Sequence, residues 1–518
     1  MKKYIYLIIS IFGSLSLQAQ TVFDANKLSS TDIIGTARYM GMAGAFGALG
    51  GDATAISDNP AGLGIYRRSE ISSTLSLQQL NSSASWYGQK KDNTKYNASF
   101  NNFTYILSNN YGDKIDGLLG SNWSFTYNKV KDFDRDVYIN GNSAGSSLTD
   151  YMLFFTKGNS EQNPYYLSSH NNDDYNPYDN TSVSWLSILG WNTYLTDTVG
   201  GNYVSLLKDG EREQPSYRLK ERGQINKYTL AWSGNVNNRF FMGVSMDLYS
   251  INHTSTSYFE EAFALNDGDM SLKSVYSTSG SGLGLTLGAI VKATDALRFG
   301  LSIHSPTFYS LTDRSYSDLY TNVDKTYYAE TPSSGYDYEY QLQSPFQLNV
   351  SGAYVFGKKG LISAEYVYNN NTGLRLMNTD GNTSAYSLEN DDAKKMLKDV
   401  NTLKLGGELR LNNIVSLRAG YAYKTASNKD NAVKYLNFNT IRTDTEYFLN
   451  NQSTNYFTFG VGFRWINWYL DFAMAEKYEK EEFHPYPSNF TDNESLKPSS
   501  ATVNSLTNNM VITLGLRF

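Results

Sequence analysis

The side chains that most often catalyse reactions or bind metals are few and scattered in this chain of 518 residues. Cysteine is absent, and no metal-binding spacing relates the four histidines, which are His170, His253, His304 and His484. His304 precedes Ser305, but neighbouring strand residues point to opposite faces, so this pair cannot form a direct catalytic contact. We expect no metal, no cofactor and no enzymatic activity; an active site at the rim of the molecule is the alternative.

A glycine-rich stretch at residues 35–64 is the next candidate for chemistry, because Gly41, Gly44 and Gly47 recur at short intervals. A phosphate-binding loop would need a preceding strand and, in the Walker form, a following lysine, and both are missing here. Small residues also permit close packing and backbone rearrangement. In the following Asn59-Pro60-Ala61, proline fixes its own φ and favours an extended Asn59, which predicts a turn; capping of a helix is an equal alternative.

The first twenty residues have the features of a signal peptide. Lys2 and Lys3 precede an apolar core of about 14 residues, which is shorter than the run of about 20 that a membrane anchor needs. We expect residues 1–20 to be removed after export. Loss of the two lysines changes the net charge from −6 to −8, and so acidic a chain argues against nucleic-acid binding. Without cysteine, neither lipoprotein anchoring nor disulfides are expected.

Alternation of apolar and polar residues indicates strands along most of the remaining chain. In residues 402–411, Leu403, Leu405 and Leu409 share one face, whereas Lys404 and Glu408 share the other. A soluble β-sandwich shows the same pattern. We count fourteen candidate strands, starting near residues 70, 98, 119, 225, 238, 281, 296, 341, 360, 402, 414, 454, 467 and 508.

Strand length and loop arrangement favour a membrane barrel over a sandwich. Most candidates run about 10 to 14 residues, enough to cross a bilayer at a tilt. Short turns, such as Asn237-Asn238 and Asn412-Asn413, alternate with long polar connections, of which the largest spans about residues 131–223. The last strand alternates up to Phe518, and a terminal aromatic residue suits the membrane-assembly signal of such barrels. We predict an all-β transmembrane antiparallel barrel of about 14 strands.

Residues 37–61 resemble the N-terminus of the FadL/TodX family of outer-membrane hydrophobic-compound transporters. The matching positions are Ala37-Arg38-Tyr39-Met40-Gly41-Met42-Ala43-Gly44-Ala45-Phe46, then Asp52, Ala55 and Asn59-Pro60-Ala61. The stretch from Phe299 to Pro306 is similar to a further family segment, although Ile303-His304 departs from it. The resemblance implies a small helical hatch, residues 21–68, inside the lumen of a barrel formed by residues 69–518. The hatch and gating residues that it implies are Arg38, Met40, Gly41, Phe46, Asn59, Pro60 and Ala61.

The resemblance also implies a function, namely uptake of small hydrophobic compounds such as long-chain fatty acids across the Gram-negative outer membrane. Such a channel would need an apolar landing site, a dry lumenal pocket and a movable plug. The expected partners are the hydrophobic ligand, outer-membrane lipid and lipopolysaccharide, and the barrel assembly machinery, with the chain itself a monomer. A structural or adhesive surface barrel with long binding loops is the alternative, and so is a general porin.

Two groups of residues are candidates for binding. Trp185, Leu186, Ile188, Leu189 and Trp191 have helical spacing in the largest loop and form a possible landing site; packing inside the loop is the alternative, favoured slightly because a long loop needs a core. Charged residues on the lumenal face are expected to pair across the interior or to hold the hatch. They are Asp247, Arg298, Glu365, Lys404, Glu408, Arg410, Arg418, Arg464 and Arg517.

Overall fold

The computed structural model describes residues 20–112, 117–159, 163–169, 175–207, 211–265, 268–333, 336–436, 438 and 440–518. The predicted leader, residues 1–20, therefore lies outside the described residues except for Gln20. Within these ranges, no helix is long and apolar enough to cross a membrane.

Fourteen long strands in the described residues form one closed antiparallel barrel, as predicted. Strand β14 pairs with β1, from Glu70 opposite Arg517 to Ser85 opposite Thr502, so the sheet has no free edge. In chain order the strands are Glu70–Trp86 (β1), Gln89–Asn110 (β2), Leu118–Asp132 (β3), Glu213–Val236 (β4), Phe240–Phe263 (β5), Gly268–Lys292 (β6), Leu297–His304 continued by Phe308–Asn322 (β7), Tyr338–Gln343 continued by Gln347–Val355 (β8), Gly360–Asn369 (β9), Val400–Arg410 (β10), Val415–Lys424 (β11), Thr454–Arg464 (β12), Trp468–His484 (β13) and Ala501–Arg517 (β14).

Helices lie in the N-terminal segment and in the connections. The described α-helices are Val22–Ser29 (α1), Ala37–Met40 (α2), Leu148–Gly158 (α3), Trp185–Asn192 (α4) and Ser387–Met396 (α5). The 3₁₀-helices are Thr54–Ser57, Pro60–Ile65, Pro164–Leu167, Pro177–Asp179, Asn371–Gly373, Ser384–Tyr386, Ser488–Phe490 and Glu494–Leu496. Minor strands are Arg135–Asn140, Thr196–Val199, Asn202–Ser205, Thr326–Glu330, Arg375–Met377 and Tyr447–Leu449.

The outer surface carries an apolar band of the height of a membrane. On β5, Phe240, Met242, Val244, Met246 and Leu248 all face outward and are exposed, whereas the next outward residues, from Ser250 to Thr256, are polar. From the first to the last of these residues a strand tilted by about 40° rises about 21 Å, close to the apolar height of known membrane barrels. The other strands present comparable exposed rows, and the barrel therefore spans a bilayer.

Short turns join the strands at one end of the barrel, here called the turn end. Asn237 and Asn238 form the turn between β4 and β5 with φ of 51° and 56°, in the left-handed region that asparagine tolerates better than most residues. The opposite end, the loop end, carries the connections with helices α3, α4 and α5. Residues 141–212 make up the largest of these, inside the predicted range of 131–223.

The expectation of a long loop after every second strand is wrong at two places. Strands β1 and β2 continue to a two-residue turn at Tyr87-Gly88, and β5 and β6 continue to Phe263 and Gly268. Strands β2, β4, β6 and β14 consequently start before the predicted residues 98, 225, 281 and 508. Beyond the apolar band, the outward face of a strand is polar and its inward face carries both polar and apolar residues. The alternation of apolar and polar residues that indicates a strand is therefore weaker there.

Candidate functional site

The N-terminal segment, residues 20–66, fills the interior of the barrel. Its residues between Ile33 and Ala55 form one apolar cluster with inward-facing residues of β8, β9 and β11 to β14. Ile56, Leu63 and Tyr66 pack on β2 and β4 instead. Contacts on nearly all sides of the wall place this segment in the lumen. The predicted hatch was residues 21–68; from here on, the hatch means its part from residue 35 to residue 66.

Arg38 connects the hatch to the wall. Its Nε donates to Glu408 Oε2 on β10 at 2.9 Å, and its Nη1 donates to the carbonyl of Gly51 at 3.0 Å. The same Glu408 oxygen accepts from Arg418 Nε at 2.9 Å, and Arg418 Nη1 donates to Asp471 Oδ1 at 2.7 Å. These carboxylates are buried in the barrel interior, where an unpaired charge would cost free energy. Their ion pairs with the two arginines offset that cost.

Other predicted lumenal charges also pair or contact the hatch. Lys404 Nζ donates to Glu365 Oε1 at 2.8 Å, and Glu365 Oε2 accepts from the backbone N–H of hatch residue Gly47 at 2.7 Å. Asp247 lies 3.3 Å from Lys227, and Arg517 Nε lies 2.8 Å from Glu70. Arg298 Nη1 donates to the carbonyl of Leu49 at 3.3 Å, Arg410 lies 3.7 Å from Glu408, and Arg464 is only partly buried near the turn end.

In Asn59-Pro60-Ala61, Asn59 caps the helix that follows, and Ala61 packs against the wall. Asn59 is extended, with φ −142° and ψ 100°, and its Oδ1 accepts from Ala61 N at 3.1 Å at the start of the helix Pro60–Ile65. Its Nδ2 donates to the carbonyl of Gly47 at 2.7 Å. Ala61 packs against Phe241 and Ile290 of the wall.

The remaining predicted hatch residues are also buried. Met40 packs in the apolar cluster between hatch and wall, and Gly41 approaches the wall so closely that a Cβ there would lie 3.3 Å from the Cα of Gly460. Phe46 lies under the Arg38 guanidinium, 5.1 Å from its centre, and stacks on Tyr39 with 5.8 Å between ring centroids.

Glycines of the wall oppose the hatch backbone, and sequence reasoning did not identify them. A Cβ on Gly288 of β6 would lie 2.9 Å from Pro60 Cδ, and one on Gly420 of β11 would lie 2.6 Å from the backbone nitrogen of Ala43. Gly243 faces Pro60 in the same way. Glycine inside a strand often marks the approach of another backbone, and their position on the inward face was the available signal.

Upstream of the hatch, helix α1 reaches the connections of the loop end. Asp24 lies 3.2 Å from Arg442 Nη1, and Arg442 also pairs with Asp444 and lies over the Tyr276 ring at 3.7 Å. Burial raises the pKa of the Asp24 carboxyl, but attraction to Arg442 and Lys434 outweighs burial and leaves this pKa below its ordinary value. The pKa of Asp444 is lowered by the same two cations against its burial.

The strap between α1 and the hatch, residues 30–34, is held by lysines from three strands. Asp32 lies 3.3 Å from Lys131 Nζ of β3 and 3.1 Å from Lys477 Nζ of β13. Lys424 Nζ of β11 donates to the carbonyl of Thr31 at 3.2 Å. These contacts hold the strap across the lumen.

The strap and α1 border a cavity of about 340 Å³, and its lining is not the dry apolar pocket that we expected. Aromatic residues such as Tyr249, Tyr309 and Phe448 contribute to it, but acidic and basic side chains and an even larger number of uncharged polar side chains also line it. The N-terminal segment pairs with some of these charges, since Lys27 pairs with Glu221, and Asp32 pairs with Lys131 and Lys477. The charged lining residues are Asp24, Lys27, Asp32, Lys131, Asp132, Asp134, Arg135, Glu221, Asp247, Lys424, Lys434, Arg442, Asp444, Glu446, Lys477, Glu479 and Glu481.

The predicted landing-site residues form part of a hydrophobic core at the loop end. Leu186 and Leu189 pack with α3 and with inward residues of β1, β4 to β7, β13 and β14. Trp185 and Ile188 are also fully buried, in a neighbouring cluster that Trp191 borders. These positions support the packing alternative; ligand binding by them stays a prediction. We call residues 141–212 the cap.

The remaining predicted features are the terminal Phe518 and the four histidines. Phe518 is exposed at the turn end, where its N–H donates to the carbonyl of Ser69 at 3.0 Å; its role in assembly stays a prediction. His253 and His304 line the cavity, His484 lies near the loop end, and His170 is outside the described residues. Across the described ranges, no three His, Cys, Asp or Glu residues are grouped to hold a metal ion.

These features define a membrane-spanning β-barrel of fourteen strands with an internal plug. No protein-family model matches the sequence, and no curated protein matches it significantly. The crystal structure of a Pseudomonas aeruginosa FadL homologue aligns with a TM-score of 0.51 at 11% identity, covering 94% of this chain and 99% of that one. A deltaS2 mutant of the TodX monoaromatic hydrocarbon channel aligns with a TM-score of 0.50 at 12% identity, covering 95% and 99%. The fold implied by the N-terminal motif is thereby confirmed.

Proposed function

We propose that this barrel lies in the outer membrane of a Gram-negative cell and takes up small hydrophobic compounds through a lumen gated by the hatch. The observation that carries the proposal is the hatch itself, which fills the interior and contacts wall glycines through its backbone. A general porin needs an open, water-filled lumen. Two solved structures with this fold, one named as a FadL homologue and one as a monoaromatic hydrocarbon channel, support the same class of solute.

Within that class, the lining of the cavity favours solutes that carry a polar or charged group, such as long-chain fatty acids, over bare hydrocarbons. A hydrocarbon would displace water from buried ion pairs without replacing any hydrogen bond, which costs free energy. An amphiphile can place its polar group among the charged residues and its chain against Tyr249, Tyr309 and Phe448. We expect oleate to be taken up faster than hexadecane.

A reversible lock on the hatch tests the gating. Asn128 Nδ2 of β3 donates to hatch residue Ser57 Oγ at 3.2 Å, so a Ser57→Cys/Asn128→Cys pair can be joined by a disulfide or a short dithiol linker. The chain has no other cysteine. In cells that lack their own transporter, we expect uptake of labelled oleate to fall about ten-fold on oxidation and to recover on reduction.

The matched control joins two wall residues. Ser76 and Ser99 are directly opposed on β1 and β2, with 2.9 Å between their Oγ atoms. Oxidation of a Ser76→Cys/Ser99→Cys pair should leave uptake unchanged. Equal uptake by the oxidised and reduced hatch pair would contradict gating by movement of the hatch.

The alternative is an adhesive or structural surface barrel. Replacing the cap, residues 141–212, by a short Gly-Ser linker separates the two functions. If the variant loses adhesion to a surface while its oleate uptake equals that of the wild type, the alternative is favoured. If the variant loses oleate uptake, transport is supported.

A further inference from the structure

The turn end of the barrel concentrates positive charge in a chain whose net charge is −6. Six basic residues at or beside the short turns are exposed: Arg67, Arg68, Arg239, Lys358, Lys359 and Arg410. Acidic residues are fewer there. Asp295 is exposed in the turn between β6 and β7, and the sequence of the turn between β2 and β3 adds Asp113 and Asp116 together with Lys114. We call the six exposed basic residues the cationic rim.

Little of this charge is compensated by carboxylates of the described residues. Within those ranges, Arg239, Lys358 and Lys359 have no carboxylate oxygen within 4 Å, and Arg410 has only Glu408, at 3.7 Å. Arg68 donates to neutral groups instead, namely the carbonyl of Ile466 at 3.0 Å and Asn467 Oδ1 at 2.9 Å.

The cationic rim lies at the turn-end edge of the apolar band. Arg239 precedes exposed Phe240, and Arg410 precedes exposed Leu411. Between β12 and β13, Trp465 and Trp468 stack with 3.8 Å between ring centroids, and both are exposed. Tryptophan at such an edge marks the level of lipid headgroups, and long basic side chains reach outward to that level.

We propose that the cationic rim binds the phosphate groups of anionic phospholipids in the leaflet at the turn end. Charge complementarity and the position beside the band both support a lipid over an acidic protein, because short turns project little beyond the headgroups. Each rim residue adds a cation close to the phosphates, and together they favour phosphatidylglycerol over phosphatidylcholine. The same contacts favour one orientation of the barrel in a membrane whose leaflets differ in charge.

The test compares the purified full chain with an Arg239→Gln/Lys358→Gln/Lys359→Gln/Arg410→Gln variant in neutral detergent. Retention of added dioleoylphosphatidylglycerol and dioleoylphosphatidylcholine is measured by native mass spectrometry. We expect the wild type to retain phosphatidylglycerol preferentially and the variant to lose this preference by at least about five-fold, the effect of one cation near an anionic surface. The matched control is Lys90→Gln/Lys91→Gln at the turn between β1 and β2 at the loop end, which should retain it as the wild type does.

Two further arms distinguish other anions. Inorganic phosphate at equal concentration should not displace the lipid, and polyglutamate should compete weakly. Equal retention of both lipids by the wild type, an unchanged preference in the folded variant, or effective competition by polyglutamate would overturn the proposal. Mobility of unheated samples in SDS gels verifies that the variant barrel is folded. Uptake of oleate is not part of the readout, so failure here is distinct from failure of the proposed function.

Discussion

At the scale of single residues, the contact between hatch and wall depends on side chains that are missing. Gly288 and Gly420 leave room for Pro60 and for the backbone of Ala43. Because these glycines have no side chain, the hatch can approach the wall closely. Polar contacts within the hatch then hold its backbone in place, for example the hydrogen bond from Asn59 Nδ2 to the carbonyl of Gly47.

Adding one methyl group at this contact should loosen the hatch. In Gly288→Ala, the new Cβ would overlap Asn59 and Pro60, and such overpacking costs about 1–3 kcal/mol. We expect higher conductance in planar bilayers and faster amide exchange in residues 55–65. Gly352→Ala of β8 is the control, since its nearest neighbour would lie 3.9 Å away, and its conductance should match the wild type.

The amide of Asn59 should matter independently. Asn59→Ala removes the cap of the helix Pro60–Ile65 and leaves the Gly47 carbonyl without this donor, at a cost of about 1–3 kcal/mol. The expected result is faster exchange of the Ala61 and Gly62 amides, with barrel melting unchanged because the sheet is untouched. A hatch as protected as in the wild type would contradict the positioning role.

The sequence predicts the hatch residues but not their partners on the wall. The motif around Arg38 identifies the plug, and alternation places Glu408 on an inward face. Which inward residues meet which part of the plug depends on the stagger between strands, and no local pattern encodes that stagger. The charged cavity was missed for a related reason: Asp24 and Arg442 are far apart in sequence and pair only after folding.

At the scale of elements, α1 joins the plug to the loop end. Phe23 packs against Tyr447 with 5.6 Å between ring centroids, beside the ion pair of Asp24 and Arg442. The connection at residues 425–453 therefore contacts α1, and the strap joins α1 to the hatch.

Removing the Asp24 charge should weaken the contact between α1 and the connection at residues 425–453. We expect Asp24→Asn to destabilise the docking of α1 by about 1–3 kcal/mol, visible as faster exchange in residues 22–29. Asp391→Asn, which removes an exposed pair with Lys394 on α5, should change little because exposed pairs contribute about 0–1 kcal/mol.

The pH dependence follows from the direction of the pKa shifts. Because the folded pKa values of Asp24 and Asp444 lie below their ordinary values, their stabilisation is complete above the ordinary value and is lost as pH falls through the folded one. Exchange protection of α1 should thus be constant between about pH 5 and 8, once intrinsic exchange is corrected for. A loss of protection already at pH 5 would contradict this pairing.

At the scale of the whole molecule, two parts of the chain occupy the interior of the barrel one after the other. The hatch lies toward the turn end, and the cap packs with inward residues at the loop end. Deleting residues 20–65 should raise conductance, and replacing the cap as well should raise it further. Bilayer recordings with both single deletions and the double deletion measure each barrier; no change on deleting the hatch would count against a plug.

Unequal strand lengths give the mouth of the barrel a direction. Strands β4, β5 and β6 have 24, 24 and 25 residues, whereas β9 to β12 have 10 or 11. At about 3.3 Å per residue and a tilt of about 40°, the rim is about 35 Å higher on one side. A solute that diffuses along the membrane surface would meet long strands on the side of β4 to β6 and short strands on the side of β9 to β12. The short strands adjoin residues 425–453, so the side that is easiest to approach is also the side on which this connection contacts α1.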